Sequence, residues 1–105
     1  MADPMRIRAN LVPGTDFAEV KILMRHDMET GLRKDAAGVP IPIHHIKTIV
    51  AKCKDKLVME AHFGPSVSKD PFLSFKFKGG AKGDKVNVTW TDNPGDSRTD
   101  EVAIA

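Results

Sequence analysis

A chain of 105 residues, 41% hydrophobic and 29% charged, suffices for one domain over 1–105 and is too short for two. Sixteen basic and fourteen acidic residues leave a formal charge of +2, without the large basic excess of a nucleic-acid binder. One cysteine excludes an internal disulfide framework or a cysteine-rich zinc site. The longest apolar run, Val102 to Ala105, falls far short of the roughly 20 residues that cross a bilayer, and Met1 to Arg6 shows no signal-peptide pattern.

Period two dominates the chain, which predicts strands. Met5, Ile7, Ala9 and Leu11 alternate with Arg6, Arg8 and Asn10, and Pro13-Gly14-Thr15-Asp16 reads as a turn. Val20, Ile22 and Met24 form the inward set of a second strand over Phe17–Arg25. From Asp27 to Pro42 the periodicity stops; Gly31, Gly38, Pro40 and Pro42 predict a long connection rather than a helix. A third strand is expected from Ile43 to Lys52 with Ile46, Thr48 and Val50 on one side. After the polar turn Lys54-Asp55-Lys56 comes a fourth, with Leu57, Met59, Ala61 and Phe63 inward.

Gly64-Pro65-Ser66 ends that strand and Asp70-Pro71 opens the fifth, in which Leu73, Phe75 and Phe77 alternate with Ser74, Lys76 and Lys78. A glycine-rich loop, Gly79 to Asp84, leads into Val86, Val88 and Trp90. Asn93-Pro94-Gly95-Asp96 is the clearest hairpin turn, and the last strand is expected over Arg98–Ala105 with Val102 and Ile104 inward. Seven short strands without helical periodicity predict an all-β fold, an immunoglobulin-like antiparallel β-sandwich; a small barrel with the same strand count is the alternative.

The groups able to do chemistry are scattered. Met24, His26 and Met28 stand at strand spacing, His44 and His45 are adjacent, and Cys53 and His62 follow. A copper site needs cysteine, two histidines and a methionine converging, usually from one loop. Here no histidine or methionine follows Cys53 until Met59, and adjacent histidines on a strand point to opposite faces. Surface histidines and core methionines are therefore expected, with no metal ligands. Lys52, Lys54 and Lys56 around Cys53 would favour its thiolate, the basis of a thiol- or metal-dependent oxidoreductase as the alternative function. No group is identifiable that would orient a histidine as its base, so no catalytic residue is assigned. At a strand end, Cys53 is instead a candidate for a disulfide with another chain, beside the plainer reading of an ordinary unpaired thiol.

Lys78 to Asp84 lacks the order of a phosphate-binding loop, so no cofactor is expected there. The phenylalanines of 72–78 share the inward face with Leu73 at positions 75 and 77, which fits a core strand rather than a base-stacking platform. Residues 69–85 hold five lysines against two aspartates, and 92–101 hold four acids against one arginine. Such opposed patches suit a protein interface as well as a mixed soluble surface. Val39-Pro40-Ile41-Pro42-Ile43 places three large aliphatics in a stiff loop, which implies either a partner or a flap over one end of the sandwich.

The stretch His26 to Asp35, the following Pro42-Ile43-His44, and Gly64 to Phe72 resemble the SoxZ family, as do Phe75 to Gly79, Gly83-Asp84 and Trp90. The likeness spans essentially the whole chain; Asp27 stands where many members carry proline. The family supplies the small subunit of the SoxYZ sulfur carrier of bacterial thiosulfate oxidation. The resemblance implies an immunoglobulin-like sandwich and a non-catalytic scaffold pairing with SoxY, which carries sulfur covalently on a cysteine in a glycine-rich terminal arm. It implies transient docking of other sulfur-oxidation enzymes, no nucleic acid or membrane partner, and a periplasmic location reached by export with signal-bearing SoxY. The expected SoxY contacts are Val39, Ile41 and Ile43, with Val67 and Phe72 as secondary candidates.

Overall fold

The computed structural model describes residues 4–26, 28–29, 31–64, 67 and 69–105. Pro65 and Ser66 of the expected turn, and Asp27 at the start of the long connection, lie outside the described residues. Seven strands form: β1 (Arg6–Leu11), β2 (Phe17–Leu23), β3 (Ile46–Cys53), β4 (Lys56–His62), β5 (Phe72–Lys78), β6 (Lys85–Asp92) and β7 (Ser97–Ala103). They build two antiparallel sheets, β1-β2-β5 and β4-β3-β6-β7. The chain changes sheet after β2, β4 and β5, the order of an immunoglobulin-like sandwich.

Strand alternation makes the core. Ala18, Val20 and Ile22 of β2, Val86, Val88 and Trp90 of β6, and Phe77 of β5 are buried between the sheets, with Leu73 and Phe75 packed against them. Fully burying a side chain of this size is worth roughly 1.5–3 kcal/mol, so these two inner faces supply most of the drive to fold. β-branched and aromatic residues fit the pleat as well as the interior. Beyond β7, Ile104 is also buried, fixed by backbone bonds to Gly83 and Asp84.

Two bulges shift the inward set away from strict alternation. Along β3, Ile46 pairs with Asp92 but Thr48 with Thr91, so Lys47 is an extra residue. The inward positions after it become Ile49, Ala51 and Cys53 instead of the expected Thr48 and Val50. Strand β3 also starts at Ile46 rather than Ile43. On β4, Ala51 faces Met59 while Lys52 faces Leu57, making Val58 the extra residue. Leu57, expected inside, therefore points outward and is 52% exposed. An added residue turns the following side chain to the other face. The two-residue turn Lys54-Asp55 closes the β3–β4 hairpin with positive φ at both positions (52° and 62°), the type I′ geometry that matches strand twist.

Strand directions sort the connections between two ends. The lower end holds the β1–β2 and β3–β4 turns and the 79–84 loop; the upper end holds the β2–β3, β4–β5 and β6–β7 connections. Strands of six to eight residues span about 20–27 Å, whereas the molecule is 55 Å long, so much of its length lies in connections. The longest of these, residues 24–45, belongs to the upper end.

The β3 bulge has a measurable signature. Ile49→Ala should lower unfolding free energy by about 3 kcal/mol, and Val50→Ala by less than about 1 kcal/mol, in chemical denaturation. Uninterrupted alternation predicts the reverse order.

Candidate functional site

The upper end is organised by one buried carboxylate. The even-numbered residues of β2 face inward, and continuing past Met24 brings His26 into the same layer, where it is 7% exposed. On β6 the series Val86, Val88, Trp90 continues to Asp92, 2% exposed. His26 Nε2 lies 3.1 Å from Asp92 Oδ2, and His44 Nε2 lies 2.8 Å from the same oxygen. The two imidazole centroids are 4.4 Å apart, and the Trp90 ring meets His26 edge-on at 5.2 Å. The other carboxylate oxygen accepts the Asp96 N–H at 2.8 Å.

Hydrogen bonding fixes the protonation pattern of His26. Its Nδ1 accepts the backbone N–H of Met28 at 3.0 Å, so the proton of the neutral ring sits on Nε2 and is donated to Asp92. Ligand atoms of His26, His44 and Asp92 lie within 4.8 Å of one another, a spacing that could hold a cation. A metal on Nε2 of a neutral imidazole needs the proton on Nδ1, where a backbone donor already points. The geometry therefore suits a hydrogen-bonded clamp better than a metal centre.

Burial by itself would raise the Asp92 carboxyl. Hydrogen bonds from His26 and His44, the Asp96 N–H and the charge of His44 outweigh that and hold it below the ordinary 3.8.

The clamp grips the long connection at both roots. Met28 adopts a left-handed backbone (φ 53°), costly for a residue with a Cβ, and is held there on both sides. Its N–H goes to His26, and its Sδ accepts the Ile46 N–H at 3.3 Å. Asp70 carboxylate accepts the His26 N–H, and its own N–H bonds the His26 carbonyl. Asn93 docks the returning strand: its N–H and Oδ1 bond His45, and its Nδ2 donates to the Ile43 carbonyl at 2.8 Å.

Between these roots the connection is a narrow hairpin rather than a loose loop. Glu29 and His44 exchange backbone bonds, Lys34 bridges Pro40, and the Ile41 N–H reaches the Arg33 carbonyl. The Asp35 carboxylate caps the tip by accepting the Ala37 and Val39 N–H groups. The Arg33 guanidinium bonds the Glu29 carboxyl and lowers it from its ordinary value. Gly31 has positive φ, and a Cβ there would lie 2.5 Å from Ile43 Cγ1, so the glycine lets Ile43 lie against its backbone.

Every described residue from Leu32 to Pro40 is exposed. Val39 is 56% exposed, Ile43 48% and Leu32 88%, while Ile41 is half-buried. At the same end Phe72 is 61% exposed, and Val67 is half-buried against the core. Four of the seven large exposed apolar residues among those described thus gather at the upper end. Val39, Ile43 and Phe72, expected as partner contacts, are exposed here, and Leu32, not singled out by its sequence context, is exposed beside them.

Cys53 stands at the opposite end, one strand length of about 23 Å below Ile46. The bulge at Lys47 turns Cys53 inward to 6% exposure, so its strand-end position does not expose the thiol that a disulfide with another chain would use. Burial and the Asp84 carboxylate push its thiol up, against Lys54, whose ammonium is engaged by Asp84 at 3.3 Å. The lysines therefore do not produce the thiolate that their spacing suggests. His26, His44 and Asp92 also correct the expectation of surface histidines without convergence. The signal was present: both His26 and Asp92 continue an inward series by period two.

The fold is an immunoglobulin-like β-sandwich with exposed apolar residues on a braced hairpin, and among the described residues no histidine pairs with Cys53. The family described as "Sulphur oxidation protein SoxZ" matches residues 6–103, and the chain belongs to it. It is thus a sulfur-oxidation protein. A search of curated proteins finds no match.

Replacing the clamp carboxylate tests the linkage. A carboxyl lowered on folding contributes stability that is complete above 3.8 and is lost as pH falls through its folded value. Asp92→Asn should cost about 2–3 kcal/mol at pH 7, measured by denaturant unfolding. The gap from wild type should narrow as pH falls below 3.8. A gap constant to pH 2 contradicts the assignment.

Proposed function

We propose that the chain is the non-catalytic scaffold subunit of a two-chain sulfur carrier, pairing through its upper end with SoxY, whose cysteine bears the sulfur. The observation that carries this reading is the hairpin of 32–43, rooted by hydrogen bonds yet exposing apolar Leu32, Val39 and Ile43. A preorganised apolar projection loses little entropy on binding, and contiguous exposed apolar surface marks interaction sites. Val39, Ile41 and Ile43 are the central contacts in this reading, Phe72 extends the surface, and Val67 contributes least because the core already holds it.

A non-catalytic role is supported by Cys53. Its buried, raised thiol lies about a strand length from His44, too far for nucleophile and base to cooperate. A disulfide from Cys53 to another chain would require this thiol to leave its cover. The reading includes a periplasmic site of action reached together with SoxY, which rests on the family resemblance.

Co-purification tests the pairing. Val39→Asp/Ile43→Asp should weaken retention of SoxY by at least about 100-fold, as loss of two central apolar contacts does. Leu57→Asp, at the lower end, should leave it unchanged, and melting curves check that each variant folds. Undiminished pairing of the double variant contradicts the assignment.

A further inference from the structure

The outer face of the β1-β2-β5 sheet is charged in one sense. Its register sets Arg6, Leu23 and Phe72 in one row, Arg8, Lys21 and Ser74 in the next, and Asn10, Glu19 and Lys76 in a third. Phe17 and Lys78 close the face at the lower end. Five cations thus share this surface with a single carboxylate from its strands. Arg8 and Lys21 are directly opposite on neighbouring strands, a like-charge pairing that weakens a sheet. Among the described residues Arg6, Arg8 and Lys76 make no ion pair; Lys21 has a long one to Glu19 (3.8 Å) and Lys78 one to Asp16.

The other sheet has a different exterior. Its outward rows Glu60-Val50-Thr89-Thr99, His62-Thr48-Thr91-Ser97 and Leu57-Lys52-Asn87-Glu101, with Lys85, set two lysines against two glutamates, and Lys85 pairs with Glu101 at 3.2 Å. Five of the chain's sixteen cations thus share one face with one carboxylate, an excess of four positive charges on a chain whose formal charge is +2. A face that tolerates repulsion on its own gains when an anionic surface covers it.

We infer that this basic face docks an acidic surface on the enzymes that act on the carried sulfur, a proposal that rests on the carrier-subunit reading above. Protein fits better than nucleic acid. Glu19 sits within the patch where a phosphate backbone would have to pass, and exposed Phe17 at its lower end, away from the proposed SoxY contacts, offers an apolar anchor of the kind protein interfaces use. Charge-steered contact also suits a carrier that must meet and leave several enzymes, because it speeds encounter more than it tightens the complex.

The test uses the SoxY-paired chain carrying Arg6→Glu and Arg8→Glu, which places opposite charge against Lys21. Initial rates of thiosulfate oxidation are read in a system of purified components with the carrier varied. The KM for carrier should rise about ten-fold at low salt with kcat held, and the difference should vanish near 0.5 M salt. Lys76→Gln should give a smaller shift in the same direction. An unchanged KM overturns the proposal. So does loss of SoxY pairing in the variant, which would make this face part of the constitutive interface. Binding of duplex DNA at about 0.15 M salt that the variant abolishes would also overturn it. Failure of the wild-type chain to pair with SoxY would instead remove the carrier reading beneath it.

Discussion

One buried carboxylate determines how the upper end of this sandwich is built. Asp92 has three donors converging on its two oxygens: the Asp96 N–H, His26 Nε2–H and His44 Nε2. An ion this deeply buried is tolerable only when each lone-pair direction that matters is filled. Because the donors come from the end of β2, the start of β3 and the β6–β7 turn, satisfying the charge also fixes the positions of three chain segments. His26 passes the constraint on to Met28 through Nδ1, and Asn93 extends it to Ile43 and His45. The hairpin between them is thus held at its roots by polar bonds, while its own surface remains apolar.

That division of labour explains why the hairpin need not pack on the core. Its shape comes from backbone exchange between Glu29 and His44, the Asp35 cap and the cation–carboxylate pair of Arg33 with Glu29. Val39 and Ile43 are left for another surface. In the pairing proposed above, a permanent partner covers this end, and the basic face at the side stays accessible to transient ones.

The sequence made much of the sheet framework legible. Strands β2, β5 and β6 alternate without interruption, so their inner faces follow directly from Ala18-Val20-Ile22, Leu73-Phe75-Phe77 and Val86-Val88-Trp90. The bulges at Lys47 and Val58 were not legible, because neither carries a glycine or proline to mark it, and each moved Ile49, Cys53 or Leu57 to the face opposite expectation. The clamp was half legible. Parity alone sends His26 and Asp92 inward, but their meeting across 66 positions depends on the two sheets closing over one another. His44 reaches them from its β-bridge with Glu29, two residues before β3 begins, a pairing with the long connection that no periodicity announced. The charged face emerges only from cross-strand register, since Arg8 and Lys21 are thirteen positions apart along the chain and face to face in the sheet.

The most direct test of the central claim is amide hydrogen exchange of the chain alone and in complex with SoxY. The account predicts added protection across 32–41, where the Val39 and Ile41 amides already bond within the hairpin, and no change at the β3–β4 turn of the lower end. Protection confined to the lower end, with the hairpin exchanging as it does in the free chain, would contradict it.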